Sequence, residues 1–228
     1  MFEQKKVEEI LGIQFADAEI IKRAFVHRSY INEHPKAGLE HNERLEFLGG
    51  AVLELVVTDH LYRSYKNPEG ELTSWRSALV KTESLAAVAE KLGLGQYLLM
   101  SHGEVKSGGR SRTALLANMI EAIIGAIYLD QGYDTAAKFI DRELIVGLPQ
   151  ILESGAHIDA KSKFQEVAQE REGITPHYEV LAEVGPDHDK VFTVGVFLGK
   201  KELGRGDGSS KQAGQQAAAA DALSRYKK

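Results

Sequence analysis

HNERLEFLGGAVLE, His41 to Glu54, is the stretch on which the reading of this chain turns. Leu45, Leu48, Val52, Leu55 and Val56 recur at the three-to-four-residue step of an amphipathic helix. Glu43 and Glu46 stand three apart on it, so they project from one face. A second helical run, LLANMIEAIIGAIYLD from Leu115 to Asp130, repeats the device with Asn118 and Glu121. Each helix can therefore offer two oxygen-bearing side chains to a shared point. Glu121 is set among Met119, Ile120, Ala122, Ile123 and Ile124, where an unpaired carboxylate would be costly to bury. Spacing alone leaves two readings open. Glu121 is a helix-surface or ion-paired residue, with an arginine such as Arg44 as partner, or the carboxylates hold a cation.

Working outward, the helical period continues through the first part of the chain, as in Leu115, Met119, Ile123 and Ile127, and beta-branched alternation is scarce before residue 150. Punctuation falls at Asn67-Pro68-Glu69-Gly70, at Ser107-Gly108-Gly109 and at Gln131-Gly132. The pattern predicts an all-α domain over residues 1–150 and a linker over 151–158, within a stretch from Gly147 to Ala160 that lacks a sustained helical period. Beyond it, over 159–228, the period changes. A helix is expected over Lys163 to Glu170, strands over His177 to Val184, Val191 to Leu198 and Lys201 to Gly206, and a last helix capped by Ser209 and running to Tyr226. The order α-β-β-β-α predicts a small α+β unit, a sheet covered by two helices on one face.

Composition narrows the chemistry. A hydrophobic share of 43% and a charged share of 27% are those of a globular chain with a packed core. With no cysteine, disulfides and thiolate metal sites are excluded, and oxygen ligands point to Mg2+ or Mn2+. Net charge is −5, from 28 Lys+Arg against 33 Asp+Glu. From residue 157 onward the two kinds balance at 11 each, so the first part, with 17 against 22, carries the whole excess. An acidic domain acting on a phosphate backbone needs cations between the two. The start MFEQKKVEEILGI does not read as a signal peptide, and no apolar run approaches the roughly 20 residues that span a bilayer. A cytoplasmic location without membrane contact is the expectation.

The run Asn42-Glu43-Arg44-Leu45-Glu46-Phe47-Leu48-Gly49, followed by Ala51-Val52-Leu53, closely resembles the signature of the bacterial ribonuclease III family. His27-Arg28-Ser29-Tyr30 with Asn32-Glu33 is similar to its early motif, Glu69-Gly70-Glu71-Leu72 to the next, and Glu121 through Asp130 to the last. The resemblance implies an all-α endonuclease domain that dimerises, with a magnesium-dependent site at each end of a catalytic valley. It places metal ligands at Glu46, position 50, position 118 and Glu121, Glu43 beside them, Glu69 as a contribution from the partner subunit, and Phe47 as the aromatic that packs into the partner. It further implies cleavage of double-stranded RNA in ribosomal and messenger RNA processing, with 5′-phosphate and 3′-hydroxyl ends and short 3′ overhangs. Magnesium held by carboxylates suits phosphodiester hydrolysis because it activates a water and offsets the charge of the transition state.

Two positions depart from that pattern. Where the family places Asp, this chain has Gly50, which brings no ligand and costs a helix about 1 kcal/mol relative to alanine. Either Gly50 permits close helix packing beside Gly49, or a working Asp has been lost, naturally or by deliberate substitution to trap substrate. Asn118 also stands where Asp is usual; its amide oxygen can coordinate magnesium but adds no charge. The expectation is a kept fold, dimer and RNA affinity with reduced cleavage.

The C-terminal part resembles a double-stranded RNA-binding domain at Lys161-Ser162-Lys163-Phe164-Gln165-Glu166, Gly185-Pro186-Asp187-His188 and Gly208-Ser209-Ser210-Lys211. Such a domain reads an A-form duplex by shape. Gln165, Glu166 and His188 suit 2′-hydroxyls and a minor-groove edge, and Ser209, Ser210 and Lys211 suit a phosphate at a helix N-terminus. Gln212 replaces a common lysine, so modest, salt-sensitive affinity is expected. His27 and His41 read as structural histidines near helix ends, and Arg110 and Arg112 as either RNA contacts or a solvated basic loop. Two further readings compete: a non-cleaving or substrate-trapping RNA-binding protein on the same fold, and a purely helical interaction protein.

Overall fold

A computed structural model describes residues 2–154, 159–186 and 190–226. The chain forms two compact units, 1–157 and 158–228. The first is helical: α1 Gln4–Leu11, α2 Ala18–Ala24, α3 Arg28–Glu33, α4 Glu43–Ser64, α5 Glu69–Val80, α6 Thr82–Lys91, α7 His102–Lys106, α8 Thr113–Gln131, α9 Tyr133–Glu143 and α10 Leu148–Ser154. The helix α10 runs on through residues 151–154 of the expected linker, with Leu148 and Ile151 turned inward. The rest of that linker lies outside the described residues.

The central helix is α8. From Leu116 to Ile127 every residue but Asn118 and Glu121 is buried, including Met119, Ile120, Ile123 and Ile124. At 19 residues it is long and apolar enough, by length and composition, to cross a bilayer, which corrects the expectation of no such run. Here α4, α6, α2 and α9 cover it instead. Burying side chains of this size stabilises by about 1.5–3 kcal/mol each.

Polar groups of the sequence motifs fix the ends of these helices. Asn42 is no helix cap; it is buried, its Nδ2 donates to the Ala24 carbonyl at 3.2 Å, and its N–H donates to the Val26 carbonyl at 2.9 Å. Asp130 accepts the backbone N–H groups of Ala16 and Asp17 at 3.0 and 2.9 Å. Glu33 accepts the His102 N–H at 2.9 Å, a bond that holds its carboxyl below the usual range.

The second unit has the expected α-β-β-β-α order: α11 Ala160–Glu172, β1 His177–Val184, β2 Val191–Leu198, β3 Lys201–Gly208 and α12 Lys211–Tyr226. The strands form one antiparallel sheet in sequence order. Gly199, at φ 57°, takes the first position of the tight β2–β3 turn, where a side chain would be strained. The helix α11 starts three residues earlier than expected because Asp159 caps it, accepting from Ser162 N–H and Oγ. The cap of α12 is Ser210 rather than Ser209: its Oγ accepts the Ala213 N–H at 3.1 Å. Phe164 and Ala168 of α11, Val196 and Leu198 of β2, and Ala218, Ala219 and Ala222 of α12 make the core.

Candidate active site and RNA-binding face

The helices α4 and α8 cross backbone to backbone. A Cβ on Gly49 would stand 1.7 Å from the Glu121 carbonyl oxygen, and one on Gly125 would stand 2.3 Å from the Leu45 carbonyl oxygen. No side chain fits either place. Glu46 precedes Gly49 by three residues and Glu121 precedes Gly125 by four, so the crossing draws the two carboxylates together.

What results is a half-buried cluster of like charge. Burial first, then the neighbouring carboxylates of Glu46 and Glu54, push the Glu121 carboxyl up to about 7. Burial and Glu43 also raise Glu46, against a hydrogen bond from the Asn118 side chain that lowers it. Every charge acting on Glu121 is negative, and Arg44 is exposed, so the ion-pair reading falls. Gly50 completes the picture. A Cβ there would lie 3.3 Å from Glu121 Oε1, and beyond its own stretch of helix it would meet only that carboxylate within 4 Å. Close packing thus belongs to Gly49, while position 50 faces the cluster.

Among the described residues no three Asp, Glu, His or Cys side chains converge as a metal cage. Glu46, Asn118 and Glu121 nevertheless suit a hard cation. Two half-buried carboxylates with no counter-charge repel unless one lies between them, and magnesium needs only one or two carboxylates when water fills its shell.

The other expected residues are placed as follows. Glu43 lies beside the pair, bound to Arg28 at 2.8 Å, with His41 Nδ1 at 3.8 Å. Arg28 carried no site assignment in the sequence; only the fold shows it paired with Glu43. Glu69 is not in the cluster: it is exposed at the start of α5 and accepts from Thr73 Oγ1 at 2.8 Å. Phe47 is 84% exposed and begins a stripe on α4 that continues through Ala51, Leu55 and Tyr62. His27 caps α3, its Nδ1 accepting from the Ser29 N–H at 3.3 Å. Arg110 donates to the Gln96 carbonyl at 2.5 Å and Arg112 pairs with Glu104, so both tie their loop to neighbouring segments of the chain.

In the second unit Gln165 and Glu166 are exposed on α11, opposite buried Phe164 and Ala168. Glu166 is paired with Lys163 at 3.1 Å. Ser209, Ser210 and Lys211 are exposed at the start of α12. His188 lies outside the described residues. Two contacts escaped the sequence reading. Lys161 Nζ donates to Gln215 Oε1 at 2.7 Å, and Gln216 Nε2 donates to Asp159 Oδ1 at 2.7 Å, tying α11 to α12.

A helical unit with two half-buried carboxylates brought together at a helix crossing, followed by a helix-flanked three-stranded sheet, is a two-part plan that known families share. Family models agree: one for ribonuclease-III-like domains matches residues 17–148, and one for the double-stranded RNA binding motif matches 160–226. Ribonuclease 3 of Lactococcus lactis is 44% identical over 96% of this chain and 95% of its own. That of Protochlamydia amoebophila is 46% identical over 96% and 90%. In the solved nuclease domain of Campylobacter jejuni ribonuclease III, 39% of residues are identical, at a TM-score of 0.59 over 66% of this chain and 99% of that one. The chain belongs to the ribonuclease III family of double-strand-specific endoribonucleases, and carries its RNA-binding module at the C-terminal side.

Proposed function

We propose that the chain cuts double-stranded RNA endonucleolytically, as a homodimer in the cytoplasm, in ribosomal and messenger RNA processing. Magnesium, or manganese in its place, would be held by Glu46, Glu121 and the Asn118 amide oxygen, and cleavage is attenuated by Gly50 and Asn118. The single observation that carries this reading is the convergence of Glu46 and Glu121 at the Gly49–Gly125 crossing without a counter-cation. When bound, the metal supplies an activated water and charge for the phosphorane-like transition state. Glu46 and Glu121 hold and orient it, and Asn118 orients Glu46 through its hydrogen bond. Glu43 adds negative charge beside Glu46 and is itself paired with Arg28 at the rim. The α4 stripe, with Phe47 84%, Leu55 57% and Tyr62 75% exposed, supports the dimer, and Glu69 acts in the partner's site. A solved structure of the Campylobacter jejuni nuclease domain, 39% identical, is described by flexibility in its dimer-forming region, which favours the same arrangement here. Products with 5′-phosphate and 3′-hydroxyl ends and short 3′ overhangs follow from the family resemblance.

The test is single-turnover cleavage of a long RNA duplex, in magnesium and in EDTA, by the natural chain and Gly50→Asp. A metal-dependent cut that gains about tenfold or more in the variant is expected, because position 50 is read as a direct ligand and even outer-shell partners of metal ligands act on a scale of about 10- to 100-fold. An unchanged rate would clear Gly50 of the attenuation. Gly50 also favours a second reading, a duplex-binding protein that does not cut; binding without cleavage in both forms would establish it.

A further inference from the structure

In the second unit Lys211, which the sequence suits to a phosphate, stands in an ion pair. Lys211 Nζ lies 3.5 Å from Glu183 Oε1 and 5.8 Å from the centre of the Phe192 ring. The other oxygen of the same carboxylate, Glu183 Oε2, is 3.7 Å from Lys190 Nζ. Register explains the meeting. Glu183 on β1 pairs with Phe192 on β2, and Phe192 pairs with Gly208 at the end of β3, three residues before Lys211. Glu183 thus bridges the start of α12 and Lys190, which leads into β2.

We infer that Glu183 competes with the RNA backbone for Lys211 and thereby sets the affinity of this chain for duplex RNA. The inference rests on the reading of Lys211 as a phosphate contact. A carboxylate and a phosphate oxygen ask the same thing of an ammonium, a charge-assisted hydrogen bond. Both cannot have it at full strength, so docking must loosen the Glu183 pair, and a retained Glu183 would repel the incoming phosphate. The pair is well exposed, with 61% of the Lys211 side chain and 40% of the Glu183 side chain accessible, so the competition is modest and lysine can be released. Exposed pairs of this kind shift equilibria by about two- to fivefold. With Gln212 in the neighbouring position, Lys211 is the only lysine of the first turn of α12, which concentrates the effect on one pair.

The experiment measures binding of the full chain to a labelled RNA duplex in EDTA, where no cutting occurs. It compares the natural chain with Glu183→Gln, Lys211→Ala and the double variant. Glu183→Gln should bind about threefold tighter at low salt, with the gain shrinking as salt screens the pair. Lys211→Ala should weaken binding and flatten the salt slope by about one. In the double variant the benefit of Glu183→Gln should shrink to less than half, leaving only the repulsion that does not pass through Lys211. A gain of equal size with and without Lys211 would show only a general change in charge and would overturn the inference, as would no gain at all while Lys211→Ala still weakens binding. An unaltered affinity and slope in Lys211→Ala would instead remove the phosphate reading beneath it.

Discussion

Both units bring a helix into backbone contact by way of glycine, yet the contacts do different work. In the first, Gly49 and Gly125 let α4 and α8 touch, and the closeness forces two carboxylates together. In the second, Gly204, Gly206 and Gly208 alternate along β3 and face Ala213, Ala217, Ala218 and Ala222 of α12. There the closeness only places the start of a helix. The charged groups differ accordingly. Glu121 meets only like charge, whereas Glu183, Asp159 and Glu166 each have a donor or cation partner. A carboxylate that the fold leaves without a partner asks for a ligand from outside. One that already has a partner can only compete with a ligand.

The comparison breaks most easily at Gly49. Gly49→Ala should destabilise the first unit by about 3 kcal/mol or more, since its Cβ would stand 1.7 Å from a backbone oxygen. Calorimetry should show that transition lowered while the second is unmoved. Two unmoved transitions would refute the crossing. Gly206→Ala is the counterpart in the second unit. Its Cβ would come 2.3 Å from the Ala218 nitrogen, and about 2 kcal/mol should be lost there alone, with weaker duplex binding as α12 shifts.

The smallest expected effect sharpens the charge contrast. Glu121 has its carboxyl raised to about 7 in the fold from an ordinary 4.5. The folded state therefore binds more protons than the unfolded chain between those values, and stability should fall as pH rises across that window. Glu121→Gln should remove that part of the slope in EDTA, and added magnesium should flatten it in the natural chain. A slope identical in both forms would mean that burial and the neighbouring carboxylates do not raise the Glu121 carboxyl.

Much of this was legible in residue order. The helical period, its change near residue 160 and the three strands were readable because each side chain's environment there follows from local periodicity. Glu46, Asn118 and Glu121 were legible as a set because three-residue spacing on a helix is local geometry. Arg28, Lys161 and Glu183 were not, since each acts on a group distant in sequence. The helix over Leu148–Ser154 was also missed, because its apolar residues pack on α5, a partner that residue order does not reveal.

Sequence by itself determined the two-unit plan, the family motifs and the oddity of Gly50, all properties of local order and composition. Tertiary structure alone decided which of two adjacent glycines is needed for packing and which faces the carboxylates. Successive residues on a helix point about 100° apart, so Gly49 meets a neighbouring backbone and Gly50 a neighbouring charge, and only the crossing of α4 with α8 says which is which.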